Sequence, residues 1–259
     1  MSETTLDRLL DGRVELRQSA RGYRAGMDAV LLAASLAAKP GELLVEFGCG
    51  PGAALLCAAQ RMTGNSFLGL EIDPDAVELA TQNIAANRLG ERVRVRQGDI
   101  AAPMGALKAA QVFFNPPYFD DPGALRLPKA EKQRAWLAGD VPLADWVAAA
   151  ARLLEPKGRV TLIHRADALG DILAALAPRF GAVALRPVHP RADRPAKRVL
   201  VTARLCGKAP LVILPALVLH DEGEAAHTAQ ADAIMRGQAL IAMAARLPSV
   251  RANSSRHSI

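Results

Sequence analysis

The chain has 259 residues, of which 51% are hydrophobic and 22% charged, and its formal net charge is +6 at pH 7. This length predicts a sizeable core in one domain or in one domain with an appendage, and the sequence lacks the run of about 20 apolar residues that a membrane span needs. The polar, acidic start and three cysteines without metal-ligand spacing favour a reduced, cytoplasmic protein without a metal site. The positive charge favours a polyanionic partner such as nucleic acid.

From residue 43 onward, short apolar runs alternate with stretches of helical periodicity. The predicted strands are LLVEF (43–47), SFLGLEID (66–73), VRVRQGDI (93–100), QVFFN (111–115), RVTLIHR (159–165), GAVALRPV (181–188) and KRVLVTARLC (197–206). The predicted helices are AALLCAAQRM (53–62), a helix that Asp73 caps and Gly90 closes, VPLADWVAAAARLLEPKG (141–158) and DALGDILAALAPRF (167–180). This order predicts an α/β fold with a doubly wound, Rossmann-like sheet of seven strands. We expect the sheet to be mostly parallel, with an antiparallel final strand and helices on both faces.

Two segments lie outside this alternation. Residues 1–42 contain the amphipathic stretch GMDAVLLAASLAA, which we expect to pack over the open end of the sheet as an N-terminal cap. Residues 43–206 form the predicted core. Residues 207–246 form a C-terminal extension with the helix-like TAQADAIMRGQALIAMAARL, and residues 247–259 are polar, aperiodic and predicted to be disordered.

The sequence EFGCGPG (46–52) joins the first predicted strand to the first helix. Glycines let the backbone turn sharply and let a ligand approach closely. Glu71 ends the second strand, where a carboxylate can accept hydrogen bonds from ribose hydroxyls, so the pattern predicts an adenosine-containing ligand. Gly48, Gly50 and Ala53 also fit the dinucleotide pattern, so this loop alone leaves NAD open.

Two acids favour S-adenosylmethionine over NAD. Glu46 precedes the first glycine by two residues, where it can orient groups around the methionine moiety. Asp99 follows the third strand, where it can accept from an adenine amine, although a turn or a helix cap is the alternative role for this residue.

The sequence NPPYF begins where the fourth predicted strand ends. Each proline restricts the residue before it to extended conformations and lacks a backbone N–H. The Asn115 side-chain oxygen and the Pro116 carbonyl therefore form a stiff acceptor pair, backed by Pro117, for a planar amino group that Tyr118 can stack against. Two accepted hydrogen bonds would localise the amine lone pair toward an incoming methyl group, so positioning can do most of the work.

These motifs, in this order, resemble class I S-adenosylmethionine-dependent methyltransferases that modify exocyclic amines. RGYRAGMDAVLLAA, LIHRAD and RPAKRVLV extend the resemblance to the bacterial group that includes valine-tRNA adenine-N6 methyltransferases and proteins labelled as predicted O-methyltransferases. The resemblance covers roughly residues 10 to 240. It implies cofactor binding by Arg24, Gly26, Asp28, Glu46, Gly48, Cys49, Gly50, Glu71, Ile72, Asp99, Ile100 and Asn115, and catalysis by Asn115, Pro116, Pro117 and Tyr118.

A target adenine must come from a loop or be flipped out of a duplex, which favours RNA, and tRNA in particular, as the partner. The proline-rich stretch RPVHPRADRPAKR is a candidate phosphate-binding loop through Arg191, Arg194, Lys197 and Arg198, or an ordinary solvated hairpin. Residues 120–140 are long and polar, as a substrate-ordered loop would be.

Three other functions stay open at this point. A glutamine-amide protein methyltransferase could use the same proline motif, although its relatives usually carry a helical N-terminal domain for which residues 1–42 leave no room. DNA adenine is a further possible target, but no target-recognition domain is identifiable. A cofactor-binding module without catalysis would not need the intact Asn115 and Tyr118.

Overall fold

The structure is a computed structural model that describes residues 3–20, 24–102, 105–117, 141–221 and 226–244. Its strands are β1 (Thr4–Leu9), β2 (Val14–Ser19), β3 (Leu43–Phe47), β4 (Ser66–Glu71), β5 (Val93–Gln97), β6 (Ala109–Phe114), β7 (Leu154–Arg165), β8 (Phe180–His189), β9 (Arg198–Leu205), β10 (Val212–Ile213) and β11 (Leu217–Val218). Its α-helices are α1 (Met27–Ala34), α2 (Ala53–Arg61), α3 (Pro74–Ala86), α4 (Leu143–Leu153), α5 (Leu169–Leu176) and α6 (Ala229–Met235), and Ala166–Ala168 form a 3₁₀ turn.

The central sheet runs in the order β5-β4-β3-β6-β7-β9-β8. Strands β3 to β7 pair in parallel, whereas β9 is antiparallel to both β7 and β8. The doubly wound sheet of seven strands with an antiparallel last strand is confirmed. Beyond the prediction, the two short strands β10 and β11 pair with β8 and widen its edge.

Helices cover both faces of this sheet. One core joins α1, α2, β2 and α6 to side chains such as Phe113 and Ile163, and the other joins α4 and α5 to Phe114 and Leu162. Neighbouring residues of a strand enter opposite cores because side chains alternate between the faces of a sheet. The central strands β3 and β6 are therefore mostly apolar on both faces, as the inner strands of a parallel sheet require.

The N-terminal segment differs from its prediction. β1 and β2 form an antiparallel hairpin that was not predicted, and α1 lies on one face of the sheet against α2 and β7 rather than over an open end. The hairpin turn contains Asp11 at φ +59° and Gly12 at φ +82°. Asp-Gly is a common hairpin turn sequence, so this pair was an available signal.

Two helix boundaries also differ from those that the sequence predicts. The helix before β7 ends at Leu153 rather than near Pro156, because Leu154 already pairs with Ala109 of β6. In the C-terminal extension, helix α6 stops at Met235, and Gly237 follows at φ +72°, a left-handed conformation that ends helices. The proposed division of the chain at residues 42, 206 and 246 stays a prediction, and residues 247–259 lie outside the described residues.

Candidate active site

The carboxyl ends of the parallel strands form one rim. The register pairs Phe47 of β3 with Leu70 of β4 and with Phe114 of β6. The next residues along β3 and β6 are Gly48 and Asn115, so the glycine loop and the proline motif leave the sheet side by side. Ligands of open α/β sheets bind at this edge.

The glycines of this loop adopt backbone conformations that other residues rarely adopt. Gly48, Gly50 and Gly52 have φ of +59°, +53° and +92°. A Cβ at Gly48 would stand 2.8 Å from the Trp146 ring, whereas a Cβ at Gly50 would meet no atom within 4 Å. The loop therefore packs tightly below Gly48 and leaves open space beside Gly50, where a ligand can approach the backbone.

Glu71 holds the loop through backbone hydrogen bonds. Its Oε2 accepts from the Gly50 N–H at 2.7 Å, and its Oε1 accepts from the N–H groups of Ile72 at 2.8 Å and Asp73 at 3.0 Å. A carboxylate offers about four acceptor positions, so about one is left for a ligand. If Glu71 accepts from both ribose hydroxyls, as we expect from the sequence, one backbone bond must be exchanged.

Glu46 lies on β3 beneath the loop and is 4% exposed. Burial raises the pKa of its carboxyl well above the ordinary value, a backbone hydrogen bond from Leu55 opposes this, and the nearby Glu71 raises the pKa further. Among the described residues, Oε2 of Glu46 has no hydrogen-bond partner. A buried carboxylate oxygen without a partner is costly, so this atom is suited to accept from a bound cationic group.

The other predicted cofactor residues of the rim have different surroundings. Cys49 is buried, and burial, together with Glu46 and Glu71, raises the pKa of its thiol, so the thiol is not a nucleophile at neutral pH. Ile72 is 37% exposed at the rim, and Ile100 packs partly on the core below α4 and α5. Asp99 is exposed and its Oδ1 accepts from the Ala101 N–H at 2.8 Å, which is a turn role.

The proline motif begins with a half-buried Asn115, followed by a buried Pro116 and an exposed Pro117. Directly below it, Phe114 stacks with Phe47 at a centroid distance of 6.3 Å and contacts Trp146 at 5.5 Å. This aromatic support stiffens the strand ends that carry Asn115 and Gly48. The predicted Tyr118 and the 120–140 segment lie outside the described residues.

The N-terminal residues of the predicted cofactor set form ion pairs. Arg24 contacts both carboxylate oxygens of Asp7 on β1, at 2.7 and 2.6 Å, and Asp28 at the start of α1 contacts Nε of Arg198 at 2.8 Å. Gly26 precedes α1 as its N-cap. Cofactor contacts of Arg24, Gly26 and Asp28 stay predictions.

The basic loop between β8 and β9 lies at the same rim. Arg198 pairs with Arg165 at the carboxyl end of β7, so residues 190–197 project from the edge that carries the proline motif. Arg191, Arg194 and Lys197 are exposed, and Nε of Arg194 lies 3.4 Å from Asp193. Arg198 is half-buried against Asp28, which makes it less available to a phosphate than its neighbours.

Sequence reasoning missed Asn83 of α3, which is fully buried. Its side chain bonds to the main chain of Arg17 on β2 and of Pro51 in the glycine loop. The available signal was a second asparagine, Asn87, one helical turn further on, since polar residues four apart share a helix face.

The residues of the rim fit S-adenosylmethionine. This cofactor carries an ammonium group and ribose hydroxyls, and Glu46 and Glu71 are carboxylates placed on either side of an open glycine turn. A cation beside Glu46 would favour the ionised carboxylate and lower its raised pKa. Among the described ranges, no three His, Cys, Asp or Glu side chains cluster as metal ligands, and no described helix has the length and apolarity of a membrane span.

Comparisons with known proteins identify the family. Residues 25–185 match the family described as methyltransferase small domain. The chain belongs to this family. It is an S-adenosylmethionine-dependent methyltransferase, as the sequence motifs predict.

Curated relatives and a solved structure agree with this membership. The chain is 31% identical over 198 residues to the tRNA1(Val) (adenine(37)-N6)-methyltransferase of Porphyromonas gingivalis, covering 73% of this chain and 77% of the relative. It is 30% identical to the protein of the same name from Dickeya chrysanthemi, covering 72% and 74%. The crystal structure of a predicted O-methyltransferase, protein Atu636 from Agrobacterium tumefaciens, superposes with a TM-score of 0.70 at 26% identity and covers 83% of this chain and 98% of that one.

Proposed function

We propose that this enzyme methylates the N6 amine of an adenine in RNA, with tRNA as the substrate. The observation that carries the proposal is the position of Asn115 and Pro116, which leave β6 beside the glycine loop that leaves β3. The names of the curated relatives, which specify adenine 37 of tRNA1(Val), support the same substrate. An RNA substrate also agrees with the cytoplasmic location that the sequence predicts.

The chemistry follows from the acceptor pair. The side-chain oxygen of Asn115 and the carbonyl of Pro116 accept hydrogen bonds from the exocyclic amine and draw its lone pair out of conjugation with the ring. The bound cofactor supplies a methyl group on a positively charged sulfur. Transfer would form the N–C bond as the S–C bond breaks, leave the sulfur neutral and release the amine proton to solvent, so no strong base would be required.

The cofactor residues act before the methyl transfer. Glu46 would accept from the ammonium of the donor, Glu71 would accept from its ribose, and the backbone at Gly50 would let it approach closely. Asp99 would accept from the adenine amine of the donor through Oδ2, since its Oδ1 accepts from the Ala101 N–H. Pro117 keeps Pro116 extended and so fixes the direction of the acceptor carbonyl.

The test uses purified protein, unmodified tRNA transcript and the variant Asn115→Ala. Nucleoside mass spectrometry should detect N6-methyladenosine with the wild type and none with the variant. Calorimetric titration should give both proteins nearly the same affinity for S-adenosylmethionine, because Asn115 is one of many residues in the predicted cofactor set but supplies one of the two acceptors for the target amine. If the wild type methylates a glutamine-containing peptide or DNA and leaves tRNA unmodified, the substrate assignment is wrong.

The loop between β8 and β9 is the proposed phosphate-binding surface. Replacing Arg194 and Lys197 together by alanine should weaken tRNA binding and reduce the slope of log affinity against log salt by about one for each phosphate that the loop no longer binds. The matched control replaces Arg204 and Lys208 by alanine, which removes the same charge at the opposite end of β9. Equal effects of the two double variants would show that net charge, rather than this loop, governs binding.

A further inference from the structure

Helix α3 presents two asparagines to the open edge of β2. Oδ1 of Asn83 accepts from the Arg17 N–H at 2.8 Å, and its Nδ2 donates to the Arg17 carbonyl at 2.8 Å. Asn87 makes the same pair of bonds to Glu15, at 2.9 and 2.7 Å. Each side-chain amide thus imitates a neighbouring strand, and together they satisfy the edge of the hairpin and dock it on the helix.

The two asparagines differ in their third hydrogen bond. Nδ2 of Asn83 also donates to the carbonyl of Pro51 at 2.9 Å, whereas Nδ2 of Asn87 donates to the Asn83 carbonyl within its own helix at 2.8 Å. Asn83 therefore joins the helix, the hairpin and the glycine loop, and Asn87 joins the first two alone. The chain thus supplies two side chains that dock the same strand and differ in the bond to the loop, although Asn83 is fully buried and Asn87 is half-buried.

The conformation of the glycine loop depends on the hydrogen bond to the Pro51 carbonyl. Pro51 has no N–H, and it stands between Gly50 and Gly52, both with positive φ. Glycines restrict the backbone weakly, so a loop of this composition has many alternative conformations unless outside groups hold it. A bond from a fully buried amide fixes the peptide plane between Pro51 and Gly52, and the Gly52 N–H donates in turn to the Cys49 carbonyl at 2.9 Å.

We propose that Asn83 is a positioning residue of the cofactor site, through which the docked hairpin of β1 and β2 sets the conformation of the glycine loop and so the affinity for S-adenosylmethionine. The proposal rests on the assignment of the glycine loop as the cofactor site and is independent of the tRNA substrate. If Asn83 only docked β2, as Asn87 does, its loss would lower the cofactor affinity of the folded protein no more than the loss of Asn87.

The experiment compares Asn83→Ala with Asn87→Ala by calorimetric titration of S-adenosylmethionine, in which the stoichiometry reports the folded fraction. Loss of one buried hydrogen bond from the loop should weaken cofactor binding about three- to tenfold in Asn83→Ala. Asn87→Ala should stay within about twofold of the wild type, because it loses its bonds to β2 and none to the glycine loop. Equal weakening in both variants would overturn the proposal, and a wild type that fails to bind would overturn the loop assignment instead.

A second measurement uses the wild type alone and so avoids any folding defect of Asn83→Ala. Coupling between sites is reciprocal, so cofactor binding should in turn tighten the bond between Asn83 and the hairpin. Amide hydrogen exchange should slow more at Arg17, which bonds to Asn83, than at Glu15, which bonds to Asn87, when the cofactor is added. Equal protection of the two amides, or protection of neither, would contradict coupling of the cofactor site to the hairpin through Asn83.

Discussion

Two buried glutamates of the cofactor site should respond in opposite directions to the same substitution. Glu46 is 4% and Glu71 is 8% exposed, so both carboxylates are shielded from water. Glu71 accepts three backbone hydrogen bonds, whereas Oε2 of Glu46 has no partner among the described residues. Glutamine preserves the shape of each side chain and removes its charge. The two substitutions therefore compare a carboxylate whose hydrogen bonds are satisfied with one whose hydrogen bonds are not.

The direction of the pH dependence follows from the raised pKa of Glu46. Because this pKa is higher in the folded protein than its ordinary value of 4.5, the contribution of Glu46 to stability is greatest below pH 4.5 and falls as the pH rises through the folded-state pKa. Each unit by which the two pKa values differ lowers the free energy of unfolding by about 1.4 kcal/mol at high pH. Glutamine does not titrate, so Glu46→Gln abolishes this loss.

The expected magnitudes follow from the hydrogen bonds that each carboxylate makes. Glutamine leaves a polar group at the same buried position but carries no charge, so Glu46→Gln should raise the free energy of unfolding at pH 7.5 by about 1.4 kcal/mol for each unit by which burial has raised the pKa of Glu46. In Glu71→Gln one oxygen must serve backbone groups that two oxygens served, so at least one N–H is orphaned and stability should fall by about 1–3 kcal/mol. Both variants should bind S-adenosylmethionine more weakly than the wild type.

The assay is urea unfolding of the cofactor-free proteins at several pH values from about 5 to 8, all above the ordinary carboxyl pKa of 4.5, where a raised pKa lowers stability. The free energy of unfolding of Glu46→Gln should exceed that of the wild type by an amount that grows with pH. The free energy of unfolding of Glu71→Gln should lie below that of the wild type at every pH. If Glu46→Gln is destabilised, or if its difference from the wild type is the same at every pH, then Glu46 is not an uncompensated buried acid and its proposed role as acceptor for the donor ammonium loses its basis.

Two further predictions concern the loop and the thiols. Gly48→Ala should lower the melting temperature of the cofactor-free protein more than Gly50→Ala does, because it adds a Cβ 2.8 Å from the Trp146 ring at positive φ, whereas Gly50→Ala meets there only the backbone penalty of about 1–2 kcal/mol. Similar melting temperatures for the two variants would show that the ring moves aside. Burial raises the pKa of Cys57 to about 12, so a thiol reagent at mildly alkaline pH should label the exposed Cys206 and reach Cys57 only after unfolding, as mass spectrometry of the labelled peptides can show.

The sequence predicted the central sheet well because its strands and helices are local patterns. Apolar runs such as LLVEF and QVFFN end at glycine or proline, and these breaks are enough to place Gly48 and Asn115 at strand ends. The hairpin of β1 and β2 was missed because its alternation is weak, with Leu6 47% exposed on the outer strand. Its stability comes from burial of Val14 and Leu16 in the core and from docking to α3, and no local window of the sequence contains these contacts.

The contacts that hold the site were less predictable than the residues within it. Asn83 and Arg17 are 66 positions apart, and Asp28 and Arg198 are 170 apart. Such polar pairs carry no periodic signal, and an asparagine in a helix is typical of a surface residue until the fold brings a strand edge to it. In the same way, only the folded chain brings Arg198 of the basic loop to its carboxylate partner on α1.

The glycine loop combines rigid and unsatisfied groups in a way that suits cofactor binding. Glu71 holds the Gly50 N–H, Asn83 holds the Pro51 carbonyl, and the Trp146 ring lies against Gly48, so three elements of the fold fix the loop before the cofactor arrives. Preorganisation of this kind lowers the entropic cost of binding. The carboxylate of Glu46 is left unsatisfied at the same place, which costs stability in the cofactor-free protein and strengthens the attraction for a cationic donor. A loop that was equally rigid but fully satisfied would be more stable and would bind the donor less tightly, so the stability loss at Glu46 and the affinity for S-adenosylmethionine should have the same origin.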